Sequence, residues 1–161
     1  MEIRIDGDEV LKLASSLVKI PSENPLGNER EIADFLETKM REIGFKVSRY
    51  DFRSGRPNII GELGSGRKAR LIYDGHLDAV PAGNPDLWIE GDPFSGKIID
   101  GKLYGKSSAD MKASLPPSFQ QLRPSRMRLK VRYLSFWFQT MYLAWAPRIY
   151  SLGDAGLTWP L

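Results

Sequence analysis

The distribution of acidic residues divides this chain of 161 residues at residue 112, and the division limits which part can form a folded domain. Residues 1–112 carry 17 Lys and Arg against 19 Asp and Glu, whereas residues 113–161 carry six Lys and Arg against Asp154 alone. The second segment also contains three of the four Trp and five of the eleven Pro. A basic, aromatic segment could indicate a surface for nucleic acid or membrane. We favour another interpretation, in which residues 113–161 are an aberrant tail that was never selected to fold.

Two helices are predicted at the beginning of the chain. Apolar residues recur at helical spacing from Asp8 to Ile20, with Asp6 or Asp8 as the N-terminal cap. A second helix is predicted to begin after a cap at Asn28 and to end at Gly44, where a glycine commonly terminates a helix.

Strands are predicted to follow these helices. The predicted elements are strands over Phe45–Asp51 and Pro57–Leu63, an interior strand over Ala69–Asp74, and a hairpin over Lys97–Tyr104 that turns at Asp100-Gly101. Helices followed by strands predict an α/β layered domain in residues 1–112.

The sequence contains no feature of a secreted or membrane protein. It has no cysteine, which excludes disulfides and thiolate metal ligands, and its charged beginning lacks the apolar region of a secretory signal. The apolar run from Tyr133 to Pro147 is shorter than the ~20 residues of a membrane helix and includes Gln139 and Thr140. We therefore expect a cytoplasmic protein that binds neither membrane nor nucleic acid.

The chain has a single histidine, His76, directly after an apolar strand. Ligands commonly bind at the C-terminal ends of strands in α/β sheets, and imidazole is the commonest zinc ligand. Asp78, two residues further on, could hydrogen-bond to the other ring nitrogen and fix the tautomer. The alternative is a polar loop histidine that hydrogen-bonds to a neighbour.

Asp110 is the second candidate for metal binding. It follows a glycine-rich stretch and precedes a predicted helix. A carboxylate in this position could bridge two cations that lie ~3.5–4 Å apart. The alternative is an aspartate that caps the predicted helix. Lys112 is interpreted as a surface lysine, and Gly75, Gly101 and Gly105 as turn residues.

Several segments between residues 10 and 113 resemble one enzyme family in the same order. They are LVKIPSENPLGNE, GRPNIIGELGSG, LIYDGHLDAVPAG, the spacing of Trp88 from Pro93-Phe94, and DGKLYGKSSADMKA. Together they resemble the zinc-dependent family of acetylornithine deacetylase, succinyl-diaminopimelate desuccinylase, aminoacylase and carboxypeptidase G. The resemblance implies the N-terminal portion of a layered α/β catalytic domain, a mixed sheet flanked by helices, truncated and without the family's lid domain.

The resemblance also implies a role for each candidate residue. His76 would be a terminal ligand of one zinc, Asp78 the carboxylate that orients its ring, and Asp110 the bridge between two metals. The family hydrolyses amide bonds in N-acyl amino acids or small peptides, as deacetylases, desuccinylases or carboxypeptidases. Two zinc ions complete its site, and cobalt or manganese are alternatives. The intact parent could form a homodimer.

The remaining parts of the family's site have no counterpart in this sequence. No Glu follows residue 112 to act as general base or ligand, and there is no second His. Zinc in a catalytic site has three protein ligands, so we expect an incomplete, inactive fragment of a metallohydrolase. The alternative is a non-catalytic binding or assembly module that retains a half-domain and a basic aromatic tail.

A shift of reading frame could explain residues 113–161. Reading each codon one base earlier permits Leu-Val-Pro-Asp across Phe136–Thr140, and then Gly-Ala across Trp145–Pro147. This order resembles the family's strand that ends in an acidic motif and its later Gly-x-Gly-Ala. The junction between Thr140 and Met141 does not restore the expected Glu pair. We therefore predict that the tail is out of frame.

Overall fold

A computed structural model of the chain describes residues 6–25, 28–64, 71–120 and 133–139. The helices are α1 (Gly7–Val18), α2 (Arg30–Ile43) and α3 (Leu115–Gln120). The strands are β1 (Lys46–Arg53), β2 (Arg56–Gly64), β3 (Leu71–His76), β4 (Ile98–Ile99), β5 (Lys102–Leu103) and β6 (Tyr133–Gln139). A 3-10 turn spans Pro85–Leu87, and a π-helical turn spans Ser108–Lys112. Helices and a mixed sheet confirm the predicted α/β class.

The ends of the first two helices follow the predictions except at one cap. Asp6 caps α1, because its carboxylate accepts a hydrogen bond from the amide of Glu9 at 3.1 Å. Gly44 ends α2 in the left-handed conformation, with φ of 101°. The prediction that Asn28 caps α2 is wrong, because the cap position is Glu29 and its side chain makes no capping bond. The Glu29 carboxylate instead pairs with a buried arginine.

The larger sheet has the strand order β1-β2-β6-β3. β2 is antiparallel to both of its neighbours, whereas β6 is parallel to β3. The predicted interior strand lies at the edge of this sheet among the described strands, and it runs to His76 rather than ending at Asp74. β3 continues to His76 because its parallel pairing with β6 continues to Gln139, which lies opposite His76.

The hairpin formed by β4 and β5 turns where it was predicted to turn. Asp100 and Gly101 both have positive φ, 49° and 73° respectively. Two consecutive positive φ values are characteristic of a type I′ turn, for which Asp-Gly is a preferred pair.

The core lies between the helices and the sheet. Its fully buried side chains come from the three helices, from β2 and from the residue after β3. The largest apolar ones are Leu17, Ile32, Leu36, Met40, Ile59, Leu77 and Leu115. The last of these lies beyond residue 112, so core packing continues past the predicted domain boundary.

Two elements, α3 and β6, fall within the segment predicted to be a tail. The rest of residues 121–161, which includes most of the apolar run that ends at Pro147, lies outside the described residues. None of the helices in the described ranges combines the length and hydrophobicity needed to cross a membrane.

Candidate metal centre

His76 is the last residue of β3, at the end of the sheet where parallel strands present their carboxyl termini. Its Nδ1 lies 3.0 Å from the backbone oxygen of Asp78 and 3.2 Å from Oδ1 of the same residue. Both of these oxygens can only accept, so Nδ1 carries the proton. The structure thus places the Asp78 carboxylate beside one ring nitrogen of His76, Nδ1, as the sequence predicted.

Asp110 approaches the opposite side of the imidazole ring. Its Oδ1 lies 2.8 Å from Nε2 of His76, while 86% of its side chain is exposed to solvent. The backbone at Asp110 is extended (φ −135°, ψ 94°), and α3 begins only at Leu115. The alternative in which Asp110 caps the following helix is therefore wrong, because Asp110 lies within the π-helical turn, five residues before α3 begins.

The two carboxylates make His76 a stronger base. The hydrogen bond to Asp78 raises the pKa of His76 to about 9, with a further contribution from Asp110, although burial opposes the shift. In the chain without metal this shift favours the doubly protonated ring, with a hydrogen bond from Nε2 to the Asp110 carboxylate.

Gly75 has a packing role that the sequence did not reveal. A Cβ atom at this position would lie 2.9 Å from Cδ2 of Leu115 and 3.2 Å from Cε of Met111. The same methionine accepts a 3.3 Å hydrogen bond from the amide of His76 through its sulfur. The interpretation of Gly75 as a turn residue is wrong, because it lies within β3 and permits the Asp110 segment to pack closely against that strand.

Lys112 is buried, contrary to its interpretation as a surface lysine. Only 1% of the residue is exposed, and Nζ donates a 2.6 Å hydrogen bond to the backbone oxygen of Ile20. Burial lowers the pKa of Lys112 to about 8, which the nearby Glu23 partly opposes. This bond attaches the segment that carries Asp110 to the end of α1.

A group of three polar residues, of which Arg56 and Glu29 are buried and Asn24 is half-buried, lies behind Asp78 and was not singled out from the sequence. Nη2 of Arg56 donates to Oε1 of Glu29 at 2.7 Å and also to Oδ1 of Asn24. Nδ2 of Asn24 then donates to Oδ2 of Asp78. Burial raises the pKa of Glu29, and the bond from Arg56 opposes this shift. Helical and strand periodicity in the sequence concerns the apolar residues around these positions. No local pattern therefore predicts that Asn24, Glu29 and Arg56 contact one another.

The donor atoms present fit part of a metal site. His76 Nε2 and Asp110 Oδ1 converge, and imidazole nitrogen and carboxylate oxygen are both zinc ligands. Within the described ranges, no three His, Cys, Asp or Glu residues are grouped so that they could hold a metal ion together. The arrangement supplies two ligands where a catalytic zinc has three.

The chain is similar to known enzymes over part of its length. Residues 72–123 match the profile described as Peptidase family M20/M25/M40. A succinyl-diaminopimelate desuccinylase from Methylorubrum populi is 38% identical over 109 residues, which are 65% of this chain and 27% of that protein. The chain therefore spans about a quarter of the length of this curated relative.

Solved structures show the same similarity in three dimensions. Human carnosine dipeptidase 1 superposes with a TM-score of 0.70 and 25% identity, over 84% of this chain and 32% of its own. An M20 family metallo-carboxypeptidase from Sulfolobus solfataricus has a TM-score of 0.72 at 22% identity, over 82% and 30% respectively, and shows the fold. The resemblance predicted from the sequence is thereby confirmed: part of this chain is similar, in sequence and in fold, to the peptidase family M20/M25/M40.

Proposed function

We propose that this chain carries part of the active site of a metal-dependent amidohydrolase that acts on N-acyl amino acids or small peptides. The observation that supports it is the convergence of His76 Nε2 and Asp110 Oδ1 at the end of β3, within the segment that matches the M20 family. The names of the similar proteins, a desuccinylase and two peptidases, support this class of substrate.

In this proposal, His76 and Asp110 hold the metal and Asp78 orients the imidazole. Asp78 keeps the proton on Nδ1, so that the lone pair of Nε2 faces the ligand position. A zinc ion bound there would supply Lewis acidity and a nucleophilic water. Cobalt and manganese are alternatives, and binding requires loss of the Nε2 proton that now links His76 to Asp110.

Isothermal titration calorimetry of the purified chain with zinc tests this assignment. We expect weak, sub-stoichiometric retention, because the described residues contribute only two ligands. The variant His76→Ala should abolish the heat of binding. Zinc binding that is unaffected in His76→Ala would overturn the assignment of this residue, and a tight site with two metals per chain would contradict our count of ligands.

We expect hydrolysis only from a protein that adds further zinc ligands to His76 and Asp110. We propose that the chain alone does not hydrolyse N-succinyl or N-acetyl amino acids or dipeptides in the presence of zinc, since it contains no second His and no Glu after residue 112. Zinc-dependent release of the free amino acid by the purified chain, lost in His76→Ala, would show that this chain is active by itself.

We also propose that residues 113–161 are encoded out of frame. Their composition supports this, as does the position of β6, whose last residue, Gln139, is paired opposite His76. Read one base earlier, Phe136–Thr140 permits Leu-Val-Pro-Asp, so the earlier register would place an acidic residue at the end of this strand, opposite His76. Resequencing codons 110–120 tests the proposal. An unbroken frame, with no extended reading in the earlier register, would contradict it.

A further inference from the structure

The hydrogen bonds behind His76 have a fixed direction. Arg56 can only donate, so the side-chain oxygen of Asn24 must face it and the amide nitrogen must face Asp78. A carboxylate can only accept, so Asp78 receives this amide hydrogen on Oδ2 and the Nδ1 hydrogen of His76 on Oδ1. Each partner thus determines the donor and acceptor roles of the next.

The beginning of this series is buried and charged. Arg56 is 5% exposed and its partner Glu29 is fully buried. A buried ion pair is held in one geometry because any rearrangement leaves a charge without compensation. The guanidinium group of Arg56 therefore provides a rigid donor for the Asn24 side chain.

Other bonds already hold the loop that contains Asn24 against the site. The backbone of Asn24 donates to Ala79 at 2.8 Å, Ala79 donates to Ser22 at 2.8 Å, and the Ser22 hydroxyl donates to the Leu77 oxygen at 2.7 Å. Because these bonds attach the loop, the bonds of the Asn24 side chain to Arg56 and Asp78 are not required for that purpose. They act on the Asp78 carboxylate.

We propose that Arg56 and Asn24 form a positioning relay that fixes the rotation of the Asp78 carboxylate, which together with the backbone oxygen of Asp78 keeps the proton of neutral His76 on Nδ1. The relay deepens the proposed function and rests on it only for the identity of the metal. Arg56 bonds to Asn24, and Asn24 bonds to Asp78. Both act through Asp78, so that the lone pair of Nε2 is presented before a metal arrives.

The single histidine allows a direct test. In a chain labelled with ¹⁵N-histidine, all ring signals come from His76. The measurement uses an Asp110→Ala background at a pH at which the ring is neutral, so that Asp110 does not compete for a proton on Nε2. We expect one dominant tautomer with the proton on Nδ1. Adding Asn24→Ala should raise the population of the tautomer protonated on Nε2, while the backbone oxygen of Asp78 keeps the Nδ1-protonated form the larger one.

Ser22→Ala is the matched control for the loop. It removes a buried hydrogen bond from the same loop, which the Ser22 hydroxyl donates to the backbone oxygen of Leu77 and not to the Asp78 side chain. With Asp110 intact, zinc affinity measured against a competing chelator should fall about tenfold or more in Asn24→Ala. It should be unchanged in Ser22→Ala. An unchanged tautomer in Asn24→Ala, or an equal shift in Ser22→Ala, would overturn the relay.

A second variant decides the matter if Asn24→Ala does not fold by circular dichroism. Asn24→Asp keeps the size of the side chain and the acceptor for Arg56 but removes the donor to Asp78. We expect it to disturb the tautomer at least as strongly, and a ring signal identical to that of the parent would overturn the relay. The tautomer readout needs no metal, so failure of the relay is distinguishable from failure of the proposed function, in which the chain would not bind zinc.

Discussion

The two candidate metal ligands are supported very differently by the protein around them. His76 is anchored: its side chain is 19% exposed, and it contacts Asp78, which is itself buried and bonded to Asn24. Asp110 is open: its side chain is 86% exposed, and His76 is its hydrogen-bond partner. One ligand is oriented before a metal binds, whereas the other must be ordered by the metal or by residues that complete the site.

This difference follows from the backbone that carries each ligand. His76 ends a paired strand, and the neighbouring loop is bonded to the chain around Ser22. Asp110 has an extended backbone and lies within the turn Ser108–Lys112. The buried hydrogen bond of this turn is made by Lys112, two residues later, to the backbone oxygen of Ile20. The bond made by Lys112 holds the backbone near Asp110 in place, but it does not hold the Asp110 carboxylate.

The largest effect is expected from removing the buried charge of Arg56 behind His76. Arg56→Ala leaves Glu29 buried without its cation, and we expect a loss of about 3–5 kcal/mol in the free energy of unfolding. Arg49→Ala, which removes partly exposed ion pairs with Asp34 and Asp51, should cost no more than about 1 kcal/mol. Urea denaturation of both variants is the measurement. Equal losses would show that burial of the Glu29–Arg56 pair has no special importance.

The next effect concerns Lys112, which anchors the backbone near Asp110. Burial lowers its pKa to about 8 in the folded state, from an ordinary value of 10.5. Between these values the unfolded chain binds more protons, so the stability contributed by this group rises as pH increases from 8 to 10.5. The rise should not exceed about 3 kcal/mol.

Lys112→Met isolates this contribution. The variant lacks the titrating amine, so the difference in unfolding free energy between it and the parent should change in favour of the parent as pH rises through that window. Urea unfolding at several pH values measures the difference. A difference that stays constant with pH would mean that the ammonium group is not desolvated in the folded state.

The smallest expected effect concerns Asp110, the exposed one of the two candidate ligands. His76→Ala should remove zinc binding, whereas Asp110→Ala should weaken it by only about tenfold, or 1.4 kcal/mol. The exposed carboxylate must be ordered on binding, and its removal also releases the Nε2 proton that a metal has to displace. Competition with a zinc chelator measures both constants. A larger loss in Asp110→Ala would reverse our assignment of the anchored ligand.

Sequence reasoning singled out the candidate ligands because their signals are local. The apolar run before His76 predicts a strand end, and the spacing of Asp78 brings its carboxylate within reach of Nδ1. Lys112 was misassigned because lysines are mostly exposed, and its burial depends on the carbonyl oxygen of Ile20, 92 residues away in the chain. Contacts over such separations leave no periodicity.

The strand order of the sheet and the relay of Arg56 and Asn24 also depend on contacts between residues far apart in the sequence. The helices and the Asp100-Gly101 turn follow from short-range preferences, and the structure confirms them. That β6 lies between β2 and β3 depends on pairing between distant segments. The contact between Asn24 and Asp78 likewise joins residues 54 positions apart.

The position of β6 has a consequence for the time course of folding. β6 is the last of the described strands in the sequence, yet it lies between two strands made earlier, β2 and β3. During synthesis β3 must wait for a neighbour about 60 residues further along the chain, and such non-local pairing is slow. Until then two strand edges remain open to other chains. A ribosome-bound nascent chain that ends before Tyr133 should therefore depend on chaperones more than one that extends past Gln139.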